Sequence, residues 1–61
     1  MVLRGKPNDI DDYIIVDSTN SLKLHSAGFY PKYFDGNYIY YQKNSDILTF
    51  IKEYDISCIK G

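Results

Sequence analysis

Asp35-Gly36-Asn37 sits between two aromatic runs, inside Pro31-Lys32-Tyr33-Phe34-Asp35-Gly36-Asn37-Tyr38-Ile39-Tyr40-Tyr41-Gln42-Lys43, and it constrains the fold more than any other segment. Glycine and asparagine tolerate the positive φ that tight hairpin turns demand, and the flanking residues have the aromatic and β-branched character of paired strands. The segment predicts a β-hairpin whose register is open by one residue. A turn at Gly36-Asn37 sets Phe34 opposite Ile39 and Tyr33 opposite Tyr40, whereas a turn at Asp35-Gly36 sets Tyr33 opposite Tyr38. Either way the return strand puts Tyr38 and Tyr40 on one face, with Ile39 and Tyr41 on the other. Ile39 and Tyr41 are expected to face the helices, leaving Tyr38 and Tyr40 on an open face.

The rest of the chain supplies one strand and two helices. Residues 1–12 carry Gly5, Pro7, Asn8 and the acids Asp9, Asp11 and Asp12, a composition that reads as a flexible acidic lead-in, a loose edge strand at most. The folded domain is expected over 13–61. Tyr13-Ile14-Ile15-Val16 reads as the first strand, closed by the turn and cap formers Asp17-Ser18-Thr19-Asn20. From Asn20 or Ser21 the pattern Leu22, Leu24, Ala27 predicts a helix of about two turns, ended by Gly28 in the left-handed region with Phe29 folding back. Asn44-Ser45-Asp46 opens a second helix, where Ile47, Phe50, Ile51 and Tyr54 recur at i, i+3, i+4 and i+7 and Leu48 widens the stripe. Asp55 to Gly61 either returns as a short strand through Ile56 and Cys58 or frays. The order is β-α-β-β-α: a small two-layer α+β domain with an antiparallel hairpin and the first strand packed against two helices.

A chain of this size buries only about 60% of the surface its unfolded form exposes, so large rings must supply much of the core. Seven tyrosines and three phenylalanines are available. Seven basic against eight acidic side chains give a net charge of −1, which argues against general attraction to nucleic acid. Cys58 is the one cysteine, so an internal disulfide is excluded and a reducing cytoplasm is expected. The first residues lack the apolar core of a signal peptide, and the longest apolar run is too short to span a bilayer.

In layout the sequence resembles a family of small domains of unknown function found in phages, prophages and other mobile elements of Gram-positive bacteria. The resemblance is carried by Tyr13-Ile14-Ile15-Val16, Leu24 to Gly28-Phe29, Tyr38-Ile39-Tyr40-Tyr41-Gln42-Lys43 and Asn44-Ser45-Asp46-Ile47-Leu48, over roughly residues 13–54. Ser21 stands where such domains often have alanine. The resemblance implies a cytoplasmic accessory protein and transfers no catalytic residue.

No constellation of side chains predicts catalysis, a metal or a cofactor. Asp17-Ser18-Thr19-Asn20-Ser21 superficially resembles a metal-adhesion loop, but such a loop draws further ligands from a much larger α/β domain, and a helix cap is the simpler account. Counting a calcium loop from Asp9 puts Ile14 and Asn20 where glycine and glutamate are needed. His25 has no partner at catalytic spacing, although Asp17 could approach it in space. Cys58 reads as a half-buried small apolar residue. The chain is therefore expected to be a non-enzymatic interaction module that binds a host protein, or a second copy of itself, through Tyr33, Tyr38, Tyr40, Lys32 and Lys43. Tyrosine suits that role by giving rigid contact area with a hydroxyl still free to hydrogen bond. A three-stranded sheet also leaves an edge on which a homodimer could pair. The alternative is a single-stranded nucleic-acid accessory in which the same tyrosines stack on bases and Lys32 and Lys43 hold phosphates.

Overall fold

A computed structural model describes residues 2–59. The hairpin joins β3 (Tyr33–Asp35) to β4 (Tyr38–Gln42), with Tyr33 opposite Tyr40, Phe34 opposite Ile39 and Asp35 opposite Tyr38. The turn is therefore Gly36-Asn37. Of these two only Gly36 takes a positive φ, 62°, which is the type II′ arrangement that matches the twist of paired strands and places glycine first.

Two further strands extend the sheet. β1 (Leu3–Arg4) runs parallel to β3, and β2 (Tyr13–Val16) runs antiparallel to β4, giving the order β1-β3-β4-β2. α1 (Ser18–Ser26) and α2 (Ser45–Tyr54) cover one face of the sheet. The fold is the expected α+β arrangement with one strand more, because residues set apart as a lead-in contribute β1 and a 3₁₀ turn over Ile10–Asp12. Leu3 donates its N–H to the Lys32 carbonyl (2.9 Å) and Gly5 donates to Phe34 (2.7 Å), while the Arg4 guanidinium lies 6.0 Å from the Phe34 ring centre.

Core residues on the helical face are Ile14, Val16, Leu24, Tyr41, Ile47 and Ile56, with Phe29, Ile39, Phe50 and Ile51 packed against them. Ile39 and Tyr41 face the helices as the alternation requires. Pleating sends Tyr13, Ile15, Tyr33, Tyr38 and Tyr40 to the opposite face, and here the expectation of an open surface fails. Tyr40 is 2% exposed and Ile15 6%. β1 and β2 lie at opposite edges of the sheet, so the chain between them must cross it, and Pro7 in that crossing is itself buried. The rings of Tyr13 and Tyr33, on strands either side of β4, also meet edge to face with centres 5.7 Å apart.

α1 begins earlier than the apolar pattern suggests. Asp17 is its N-cap, with a carboxylate oxygen accepting from the Asn20 N–H at 2.9 Å, so Ser18 to Asn20 form the first turn. Leu22 and Leu24 are two residues apart, about 200° around a helix, and cannot both face the sheet. Leu24 is fully buried and Leu22 is 70% exposed. The helix ends as expected: Phe29 N–H reaches the Leu24 carbonyl (3.1 Å) and Gly28 N–H the His25 carbonyl (3.0 Å), with Gly28 at φ 99°. That pair of bonds is a Schellman motif, which needs the left-handed conformation glycine adopts without strain.

Asn44 caps α2 by accepting from the Ile47 N–H at 2.8 Å. Past Ile51 the predicted stripe leaves the core. Asp55 takes a left-handed φ of 53°, Ile56 turns back with its N–H on the Ile51 carbonyl (3.0 Å), and Ile56 fills the core while Tyr54 stays 64% exposed. Of the two alternatives for the tail, a short strand through Ile56 and Cys58 or fraying, the strand reduces to one bridge, Ile59 N–H to Ile15 carbonyl at 2.6 Å. Lys60 and Gly61, the end of that predicted segment, lie outside the described residues.

Tyr41 ties the sheet to α1. Its hydroxyl donates to the Ser21 carbonyl (3.2 Å) and shares a 2.7 Å bond with the Ser21 hydroxyl. Tyr41→Phe is expected to cost about 1 kcal/mol, the net worth of such bonds. Burial raises the Tyr41 pKa above the ordinary 10.0, with the Ser21 bond pulling the other way. A proton held more tightly in the folded state gives stability that is complete below pH 10 and is lost as pH rises through the folded value. Urea unfolding at pH 9 and 11 should therefore show a smaller alkaline loss in Tyr41→Phe than in the parent. Equal losses would mean that Tyr41 does not contribute to it.

Candidate functional site

The five residues expected to bind a partner do not form one surface. Tyr38, beside the turn, is 47% exposed. Tyr33 is half-buried, and Tyr40 is enclosed. Lys32 and Lys43 are exposed, and their backbone N–H groups are engaged by the Tyr40 and Asp12 carbonyls. Both lie towards the end of the sheet away from the turn, and Lys43 is five residues beyond Tyr38, a span of roughly 16 Å at strand rise. Base stacking with phosphate contacts needs aromatics and cations along one track. That track is interrupted where Tyr40 is covered.

The sheet edges are also poor docking surfaces. β1 is two residues long, and β2 carries the Ile59 bridge on its outer side. Short or covered edges are a common defence against edge-to-edge pairing.

The polar residues weighed for chemistry are used structurally. Asp17 caps α1, the Asn20 side-chain amide donates to the Ser57 carbonyl (3.0 Å), and Ser21 bonds Tyr41. His25 is eight residues from Asp17 along the same helix, about 12 Å at 1.5 Å per residue. Its ring instead meets Tyr30 edge to face at 5.1 Å. Asp9 and Asp12 belong to the 3₁₀ turn, where Asp12 N–H donates to the Asp9 carbonyl (2.9 Å). Cys58 is exposed, where a half-buried position was expected, and partial burial of its thiol still raises the pKa. That direction lowers the thiolate fraction. Among the described residues no three His, Cys, Asp or Glu side chains stand close enough to hold a metal ion, and no helix is long and apolar enough to cross a membrane.

A different surface emerges on the helical side. Phe29, Phe50 and Tyr54 form a ladder of rings: Phe29 to Phe50 at 5.5 Å, and Phe50 to Tyr54 stacked at 4.4 Å with 26° between planes. Phe29 borders two shallow recesses. One, of about 280 Å³, is shared with Tyr30, Lys32 and Asn44; the other, of about 410 Å³, with Asp46, Phe50, Glu53 and Tyr54. Tyr30 follows Phe29 in the chain, borders the same recess and is 70% exposed, so Tyr30, Phe29, Phe50 and Tyr54 make an aromatic strip on this side, in ring contact from Phe29 to Tyr54. Its sequence signal is the i, i+4 pair Phe50 and Tyr54, which periodicity alone assigns to the core.

Fold and surface together define a small α+β domain with a mixed four-stranded sheet and an aromatic strip on its helical side. No family model, no curated protein and no solved structure matches the chain.

Proposed function

We propose that this chain is a non-enzymatic interaction module that docks a partner protein through the aromatic strip of its helical side. The observation that carries this reading is the contrast in exposure: Tyr30 and Tyr54 stand in water at 70% and 64%, while Tyr40 of the hairpin is enclosed. Rings of this kind give large contact area at low entropic cost and are enriched at the centres of interfaces. Asp17, Asn20 and Ser21, which lie in the loop weighed for metal chemistry, are engaged in a cap and in tertiary bonds, which supports a binding role over a catalytic one. On the strength of its resemblance in layout to small phage and mobile-element domains, the partner we propose is a host protein, met in the cytoplasm.

The test places a photo-crosslinking phenylalanine analogue at position 30, 38 or 54 in turn. Adducts are expected from 30 and 54, and Tyr54→Ala should lower capture at least fivefold with the fold intact. Adducts from position 38 alone would return the contact to the hairpin. A product of twice the chain mass would identify the partner as a second copy.

A further inference from the structure

We propose that the recess between the C-terminal end of α1 and the outer face of α2 receives an arginine side chain from the partner polypeptide, its guanidinium laid against the Phe50–Tyr54 stack between Asp46 and Glu53. This deepens the interaction reading and rests on it. The recess is lined by the rings of Phe29, Phe50 and Tyr54, and its charged lining residues are Asp46 and Glu53, with no lysine, arginine or histidine among them. Both acids are exposed. They are seven residues apart on α2, about 10 Å along the axis, with Phe50 between them. A cation entering there meets two carboxylates and the outer face of the 64% exposed Tyr54 ring, whose inner face is stacked on Phe50, the combination that cation–π recognition uses. Arginine fits better than lysine because its planar guanidinium can stack on a ring and still direct N–H donors sideways to carboxylates.

The positions of the two acids bear on their purpose. Asp46 lies in the first turn of α2, where the helix dipole favours an acid, so helix stability accounts for it. Glu53 lies in the last turn, one residue before Tyr54 ends the helix. There the dipole opposes a negative charge, so the dipole does not account for Glu53, whereas a cationic ligand would.

The experiment titrates the ¹⁵N-labelled chain with a blocked nonapeptide, Ala-Gly-Ser-Pro-Arg-Pro-Ser-Gly-Ala, and with versions carrying lysine or citrulline at the centre. The arginine peptide is expected to give saturable shifts of the Phe50, Glu53 and Tyr54 amides, at least fivefold tighter than the lysine peptide, with no saturation by citrulline. Glu53→Gln should weaken the arginine peptide at least fivefold while leaving the melting temperature unchanged or higher. Equal binding of citrulline, absence of shifts at these amides, or unaltered affinity in Glu53→Gln would each overturn the proposal. Crosslinking from position 54 separates this failure from that of the interaction reading: adducts that persist when the peptides fail to bind discard the arginine chemistry alone.

Discussion

Tyr40→Ala is expected to remove most of the stability of the domain. Tyr40 is 2% exposed on the face away from the helices, paired across to Tyr33 on one side and Ile15 on the other. Truncating a buried aromatic ring costs about 3–5 kcal/mol, and a chain of 61 residues has roughly 3–9 kcal/mol in total at 0.05–0.15 kcal/mol per residue. Among the described residues no buried side-chain polar atom lacks a partner, and the ring is the part of Tyr40 that its truncation removes from the packed face, so the ring is expected to carry the effect. Tyr40→Phe should stay within about 0.5 kcal/mol of the parent, as should Tyr38→Ala at its half-exposed site. Urea unfolding followed by circular dichroism compares all three. A cooperative Tyr40→Ala transition within about 1 kcal/mol of the parent would show that the ring is not core.

Local chemistry made the helix ends and the hairpin legible in advance. Gly28-Phe29, Asn44 and Gly36-Asn37 each act through bonds to residues no more than a few positions away, and each does what its side chain or backbone freedom dictates. The beginning of α1 was less clear because Asp17, Ser18, Thr19 and Asn20 can all cap, and composition does not rank the four in place. What could not be read was which side of an element a neighbour distant in sequence would cover. Alternation correctly put Tyr38 and Tyr40 on one face, but Tyr40 is enclosed there, where the rings of Tyr13 and Tyr33 meet across β4 and the chain between β1 and β2 passes from one edge of the sheet to the other, a segment whose composition suggests solvent. Tyr54 shows the converse: it keeps the helical spacing of a core residue, yet the return of Ile56 takes the place inside. The aromatic strip was hidden for that reason, since periodicity marks which residues could be buried and packing decides which are.

The N-terminal crossing should contribute a net stability that one substitution can measure. Pro7 is buried, in a stretch whose acids otherwise point to water, and Pro7→Asp would place a carboxylate there. Burying an unpaired charge costs several kcal/mol, but the segment can avoid that cost by detaching from the sheet. The loss is then capped at the net free energy of docking residues 2–9, which is smaller than the sum of their contacts because detachment recovers backbone entropy. Against that recovery stand the β1 ladder bonds and the burial of Pro7. Pro7→Asp and a chain beginning at Ile10 should therefore lose nearly the same stability, at least about 1 kcal/mol, the net worth of one ladder hydrogen bond. Both should also bind a hydrophobic dye more strongly as Tyr40 is uncovered. If the truncated chain matches the parent in urea, the crossing adds nothing net and Tyr40 is protected by its own sheet neighbours. If truncation is costly and Pro7→Asp is not, the segment is held by β1 alone and Pro7 is not where it seats.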